Sequence, residues 1–81
     1  MTKAKYIIVQ GDFGIDSPIV FSPLLGHRQV AGSHRVIAAG FCCILQDEVS
    51  AWGESTSLGG IKSRGEEDAT IIRQQILHLD K

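Results

Sequence analysis

The sequence predicts a small α+β fold in which an antiparallel sheet of about three to five strands carries one C-terminal α-helix packed on one face. Two observations lead to this prediction. Short β-branched and apolar segments, bounded by Gly, Pro and Asp, recur through the first two thirds of the chain and are typical of strands. The last segment instead has apolar residues at helical spacing. A chain of 81 residues has room for one globular domain, residues 1–81.

The first part of the chain predicts two strands joined by loops. Lys5–Gln10 is β-branched and aromatic and ends at a glycine, which is typical of a strand. Pro18–Ser22 predicts a short edge strand, because proline lacks the amide donor that a central strand needs. The connecting segments 11–17 and 24–33 predict loops, the second with a short helical turn. These loops carry four apolar side chains that could pack onto the sheet, Phe13, Ile15, Leu24 and Leu25.

The longest apolar stretch, Arg35–Leu45, predicts a central strand that is buried on both faces. Strict alternation places its side chains in two sets, Val36, Ala38, Gly40, Cys42 and Ile44 on one face and Ile37, Ala39, Phe41, Cys43 and Leu45 on the other. Gln46–Glu48 predicts a turn, and Val49–Glu54 predicts the returning strand of a hairpin. Segment 55–62 is small and polar, which predicts a loop.

The C-terminal segment predicts a helix that begins at Ser63. Ser63 and Glu66 have the spacing of a capping box, and Glu66–Asp68 places negative charge at the positive end of the helix dipole. At about 100° per residue, the apolar residues expected to face the sheet are Ala69, Ile72, Ile76 and Leu79. One such helix covers one face of the sheet, so the loops or a second copy of the chain must cover the other. We therefore expect a homo-oligomer, most simply a dimer.

Composition and charge limit the classes of partner. The chain is 43% hydrophobic and 21% charged, as in ordinary globular domains, and its net charge is −1. Attraction of the whole surface to nucleic acid or to a membrane is therefore not expected. A local basic patch remains compatible with this net charge. The four apolar residues Tyr6–Val9 are too few for a signal peptide or a membrane span. We expect a cytoplasmic protein.

Neither a metal site nor a cofactor is expected from the motifs. Cys42 and Cys43 are adjacent in a predicted strand, so their side chains point to opposite faces and act as reduced, structural thiols. Two His-Arg pairs provide candidate partner-binding residues, because arginine offers a planar fork of donors. Solvated loop residues are the other interpretation of these pairs, which are His27, Arg28, His34 and Arg35.

The loop Gly53–Arg64 is a candidate anion site at the entrance of the predicted helix. Hydroxyls, free amides and two cations could hold a phosphate there, through the candidate ligand-binding residues Ser55, Ser57, Lys62 and Arg64. The acidic first turn of the helix would repel the anion, so a plain connecting loop is the alternative interpretation.

Three stretches resemble small uncharacterised reading frames of bacteriophages and prophages. They are Ala39-Gly40-Phe41-Cys42, the segment WGESTSLG at 52–59 and the segment KSRGEEDA at 62–69. The resemblance covers about the second half of the chain. It implies a setting rather than an activity, namely a small accessory protein in a bacterial cytoplasm.

Two classes of function remain. The first is a non-enzymatic interaction module that binds a macromolecular partner, such as a host or phage protein, by protein–protein interaction. The second is a small-anion or nucleotide-binding protein that uses the loop Gly53–Arg64. An enzyme is not expected, because the acid–base candidates His27 and His34 have no carboxylate at a spacing that would place it beside them.

Overall fold

In the computed structural model, which describes residues 3–78, four strands form one antiparallel sheet. They are β1 (Lys3–Gln10), β2 (Asp16–Phe21), β3 (Val36–Leu45) and β4 (Glu48–Trp52), in the spatial order β2-β1-β3-β4. A second sheet pairs β5 (Glu54–Ser55) with β6 (Ile61–Lys62). The helices are α1 (His27–Ala31) and α2 (Glu66–Gln75). The predicted α+β fold is confirmed.

The edges of the large sheet agree with the sequence pattern. β2 is an edge strand, and Pro18 lies opposite Ile8 of β1. The β3–β4 hairpin turns through two residues between Leu45 and Glu48, which pair with each other. The first turn residue, Gln46, has a φ of 58°, as tight hairpin turns require. The predicted edge strand and the predicted hairpin are both confirmed.

Helix α2 covers one face of the large sheet. The buried core on this side consists of Tyr6, Ile8, Ala38, Cys42, Val49, Ala69 and Ile72. Two of the predicted helix contacts, Ala69 and Ile72, are therefore confirmed. The prediction for Ile76 is wrong, because α2 ends before it and its side chain is 40% exposed. Leu79, the fourth predicted contact, lies outside the described residues.

A second core fills part of the opposite face. It contains Ile7, Ala31 and Ala39, and partly buried residues surround it, among them Val30, Val36, Leu58 and Ile61. The cover thus comes from α1 and from the segment 56–61. The loop side chains that could have done this do not, since Phe13, Ile15, Leu24 and Leu25 are all exposed. A second copy of the chain is not needed to close this core, and the homo-oligomer stays a prediction.

A β-bulge in β3 changes the predicted alternation. Ile8 pairs with Ala38 and Val9 pairs with Val36, so Ile37 has no partner residue in β1. The extra residue moves Ile37 to the α2 side together with Ala38, and Val36 to the opposite side. The predicted assignment of faces is therefore wrong for Val36 and Ile37 and right from Ala38 onwards.

The entrance of α2 differs from the predicted capping box. The residue before the helix is Gly65, at a φ of 63°, and no side chain caps it. The Ser63 hydroxyl instead accepts a hydrogen bond from the backbone N–H of Gly65 at 2.9 Å. The backbone N–H of Arg64 donates to Asp68 Oδ2 at 2.8 Å. Asp68 therefore takes the part that the sequence assigned to Glu66.

Candidate binding surface

Within residues 3–78, the part of the sheet face opposite α2 that lies towards the β3–β4 turn stays outside the second core. Strand pairing aligns one row of residues across all four strands, in the order Phe21, Lys5, Phe41 and Trp52. The next row on the same side contains Lys3, Cys43 and Ser50, because side chains two residues apart share a face. We call this surface the open face and define it by Lys3, Lys5, Phe41, Cys43, Leu45, Glu48, Ser50 and Trp52.

The aromatic rings of the open face are stacked. The Phe41 and Trp52 rings lie 28° from parallel, with their centroids 6.4 Å apart. Lys3 Nζ lies 5.1 Å from the centroid of Phe41, a distance at which a cation is attracted to the ring. Trp52 is nevertheless 42% exposed. Because β4 is an edge strand, Trp52 ends the row, and no strand of the described chain lies beyond it.

His27 of α1 borders the open face, on the same side of the sheet as Phe41. It is buried, and its Nε2 lies 2.8 Å from the carbonyl oxygen of Gly40. Its ring meets Phe21 and Phe41 nearly edge-on, at centroid distances of 5.6 Å and 5.9 Å. The interpretation of His27 as a solvated loop residue is therefore wrong, whereas its burial does not favour the partner-binding interpretation, which stays a prediction. The imidazole anchors α1 to the sheet and fixes the position of the Phe41 ring.

The two His-Arg pairs do not form one site. Arg28 is exposed on α1, on the same side of the sheet as the open face. His34 and Arg35 are also exposed, but the backbone of Arg35 bonds to Gln10 at the far end of β1. That end lies about 23 Å from Lys3, the length of the strand. Only Arg28 of the four candidate residues is therefore both exposed and on the side of the open face.

Arg64 is engaged by carboxylates rather than open to an anion. Its Nε donates to Asp68 Oδ1 at 2.7 Å, and its Nη1 donates to Glu67 Oε2 at 3.0 Å. Its Nη2 lies 3.7 Å from Asp16 Oδ2. Three negative groups therefore surround this cation already, and an incoming phosphate would be repelled by them.

The other candidate anion ligands are two serines that contact each other, Ser55 and Ser57, and Lys62, whose partner in the neighbouring strand is an acid. Ser55 is buried, and its Oγ lies 3.3 Å from Ser57 Oγ. Lys62 is exposed on β6 and pairs in register with Glu54. Loop hydroxyls and cations therefore have separate structural roles, and their geometry does not favour the anion hypothesis, which stays a prediction.

A buried polar cluster, which the sequence did not indicate, joins α2 to β1. The Tyr6 hydroxyl donates to Asp68 Oδ2 at 2.5 Å and lies 2.6 Å from Ser63 Oγ. Burial and the nearby Asp68 carboxylate raise the pKa of Tyr6 well above its usual range, so the phenol stays neutral. The spacing of Arg64 and Asp68, four residues apart, was the one local signal for this cluster. Its role is structural.

The two cysteines lie on opposite faces, as predicted. Cys42 is buried in the core under α2, Cys43 is partly buried on the open face, and both are free thiols. Burial raises the pKa of Cys42 to about 11, so its thiol stays protonated. Within residues 3–78, no group of three or more His, Cys, Asp or Glu side chains could hold a metal ion.

Comparison with known proteins leaves the open face to be interpreted from its own chemistry. No protein-family model matches the chain, and neither a curated protein nor a solved structure does. Between residues 3 and 78 there is no helix of the length and apolarity required to cross a membrane.

Proposed function

We propose that this chain is a non-enzymatic interaction module that binds a macromolecular partner through the open face. The observation that carries the proposal is the 42% exposure of Trp52, in a sheet whose two cores close without it. Contact between the apolar surface of a tryptophan side chain and water is unfavourable. Tryptophan is also among the residues that contribute most to the binding free energy at interfaces.

The surroundings of Trp52 support the same proposal. Leu45 is 55% exposed on the same face, and Leu25 is exposed beside Lys5, whose Nζ donates to its carbonyl oxygen at 2.9 Å. Leu45 and Leu25 thus add exposed apolar area on the same side of the sheet as Trp52. Lys3 and Lys5 add positive charge next to them. The surface thus suits a partner that offers both apolar or aromatic area and negative charge.

The titratable side chains with altered environments support binding rather than catalysis. His27 is held by aromatic rings and a backbone carbonyl, and the phenol of Tyr6 is buried and raised in pKa. Neither group faces the open face with a second acid or base beside it. We also propose, from the resemblance to phage and prophage reading frames, that the partner is a host or phage macromolecule of the bacterial cytoplasm.

The proposal is tested by comparing two exposed aromatic residues. Phe13 is 99% exposed in the loop between β1 and β2, so Phe13→Ala removes an exposed ring of similar character outside the open face. We expect the immobilised wild-type chain and Phe13→Ala to retain the same macromolecule from a bacterial extract, and Trp52→Ala to lose it. The purified partner should then change the fluorescence of Trp52, the single tryptophan.

Equal retention by the two variants, both shown to be folded by circular dichroism, would contradict the proposal. A purified partner that leaves Trp52 fluorescence unchanged would contradict it as well, because binding would then lie elsewhere on the molecule.

A further inference from the structure

We infer that the open face binds single-stranded nucleic acid, with one base stacked on Trp52 and the phosphates near Lys3 and Lys5. This inference rests on the proposed function and names the class of its partner. Three arguments support it. The ring of Trp52 at the end of the aromatic row is exposed, positive charge lies beside that row, and other occupants of the open face fit less well.

The aromatic row can be extended by one planar ring. Phe41 stacks against one side of the Trp52 ring, and Trp52 lies on the edge strand with 42% of its surface exposed. A base placed against the exposed side of the indole would continue the stack. Every base has such a flat face, so stacking of this kind provides affinity with little sequence preference.

The charges beside the row fit a polyanion. Lys3 and Lys5 lie on β1, two strand spacings or about 10 Å from β4, and the Nζ of Lys3 is held over the Phe41 ring. A strand of nucleic acid that crosses the sheet from β4 towards β1 would bring its phosphates to these cations. Arg28 adds a third cation on this side, and it is exposed. Glu48 is the one acid among the residues that define the open face, whereas Glu66 and Glu67 lie on α2 at the other face. The open face is therefore more positive than the net charge of −1 indicates.

Other occupants fit less well. A second copy placed face to face would bring two lysines per chain into a buried interface with one acid, Glu48, so an unpaired cation would lose its water at a high cost. A phosphate backbone neutralises both lysines while they remain partly hydrated. Duplex nucleic acid hides the faces of its bases in the helix, so it offers charge but nothing to stack on Trp52.

The probe for this inference is a short single-stranded oligodeoxythymidine. We expect it to quench the fluorescence of Trp52, and a labelled copy to gain anisotropy at low salt. Affinity should fall with salt at a logarithmic slope of about −0.7 for each phosphate neutralised, or about −1.4 for two lysines. Trp52→Ala should weaken binding about fivefold or more, which is the lower end of what base stacking on one ring contributes. Trp52→Phe should restore most of it.

Charge variants separate the open face from the rest of the surface. We expect Lys3→Ala to reduce the salt slope by about 0.7. Lys62→Ala, which removes an exposed cation of the small sheet, and Phe13→Ala should both bind like the wild-type chain. A matched duplex should bind more weakly than the single strand.

Each contrary result overturns the inference in a distinguishable way. Absence of binding at low salt, equal binding of duplex and single strand, or equal losses in Lys3→Ala and Lys62→Ala would each show it to be wrong. If the oligonucleotide fails but a protein from the extract is lost with Trp52→Ala, the proposed function stands with another class of partner. If Trp52→Ala changes neither assay, the proposed function fails as well.

Discussion

Asp68 connects three parts of the structure through one buried carboxylate. It accepts hydrogen bonds from the Tyr6 hydroxyl, the backbone N–H of Arg64 and the Nε of the same arginine. A buried carboxylate without partners would be strongly unfavourable. Because all three donors are present, the charge can be buried and can fix the start of α2 against β1.

Removal of this carboxylate should be costly. We expect Asp68→Ala to lower the free energy of unfolding by about 3 kcal/mol, since it leaves a partly buried cation and a buried phenol without their acceptor. Glu67→Ala is the matched control, because Glu67 also pairs with Arg64 but its side chain is 64% exposed. That change should cost less than about 1 kcal/mol. Urea unfolding measures both, and equal losses would contradict the assigned role of Asp68.

The buried thiol of Cys42 should make stability depend on pH in the alkaline range. Its pKa rises from the ordinary 9.0 to about 11 in the folded chain because of burial. Between these values the unfolded chain has lost a proton that the folded chain keeps, so stability is complete below pH 9 and falls as pH rises. The expected slope is about 1.4 kcal/mol per pH unit.

Cys42→Ala should remove this contribution. We expect urea unfolding of that variant to change less steeply with pH between 9 and 11 than unfolding of the wild-type chain. The raised pKa of Tyr6 contributes a loss of the same sign in both proteins, beginning near its ordinary value of 10.0, so the two slopes are compared with each other rather than with zero. Identical slopes would show that the thiol is not the group that titrates.

The apolar pattern of helix α2 extends in the sequence beyond the residue at which the helix ends. Ile72 is fully buried under the sheet, whereas Ile76 lies beyond the helix and is 40% exposed. We expect Ile72→Ala to cost about 2–5 kcal/mol, as large-to-small core changes do, and Ile76→Ala to cost less than about 1 kcal/mol. Thermal unfolding gives both values. A large loss at Ile76 would show that the helical face continues past Gln75.

The elements predicted correctly are those whose signal is local. Alternation and turn residues indicate β2 and the β3–β4 hairpin, and helical spacing indicates α2. The bulge at Ile37 has no local signal, because it depends on the pairing of β3 with β1. The short helix α1 covers part of the second face. Only Val30 and Ala31 of this helix contribute to the core there, and two residues are too few to give a helical pattern in the sequence.

The open face could not be predicted from any one segment. The half-exposed pattern of β4 was visible in the sequence, with Ser50 and Trp52 on one side. The position of Trp52 beside Phe41 follows from the register of the β3–β4 hairpin, but its position two strands from Lys5 depends on the pairing of β3 with β1, which is distant in the chain. The candidate residues that the sequence did offer were charged or hydroxyl side chains of predicted loops, and half of them make side-chain contacts within the fold, namely His27, Ser55, Ser57 and Arg64.

The two faces of the molecule differ in what covers them. The ten-residue α2 closes one face, whereas the five-residue α1 and the segment 56–61 close only part of the other. The part that no other segment of residues 3–78 closes is the open face, which is aromatic and carries lysines. A single chain therefore completes both cores and still leaves the side chain of Trp52 exposed.

Self-association stays a prediction, and the structure narrows the surface that it would use. Because both cores are closed, a second copy would bind at the open face, where lysines of the two copies repel each other. We therefore expect weak association that strengthens as salt screens this repulsion, the opposite of the salt dependence expected for the oligonucleotide.

Sedimentation at rising protein and salt concentration measures this association. Trp52→Ala should remain a monomer, and the oligonucleotide should dissociate the wild-type dimer, since both would occupy one surface. A dimer that persists in Trp52→Ala and ignores the oligonucleotide would place the interface elsewhere.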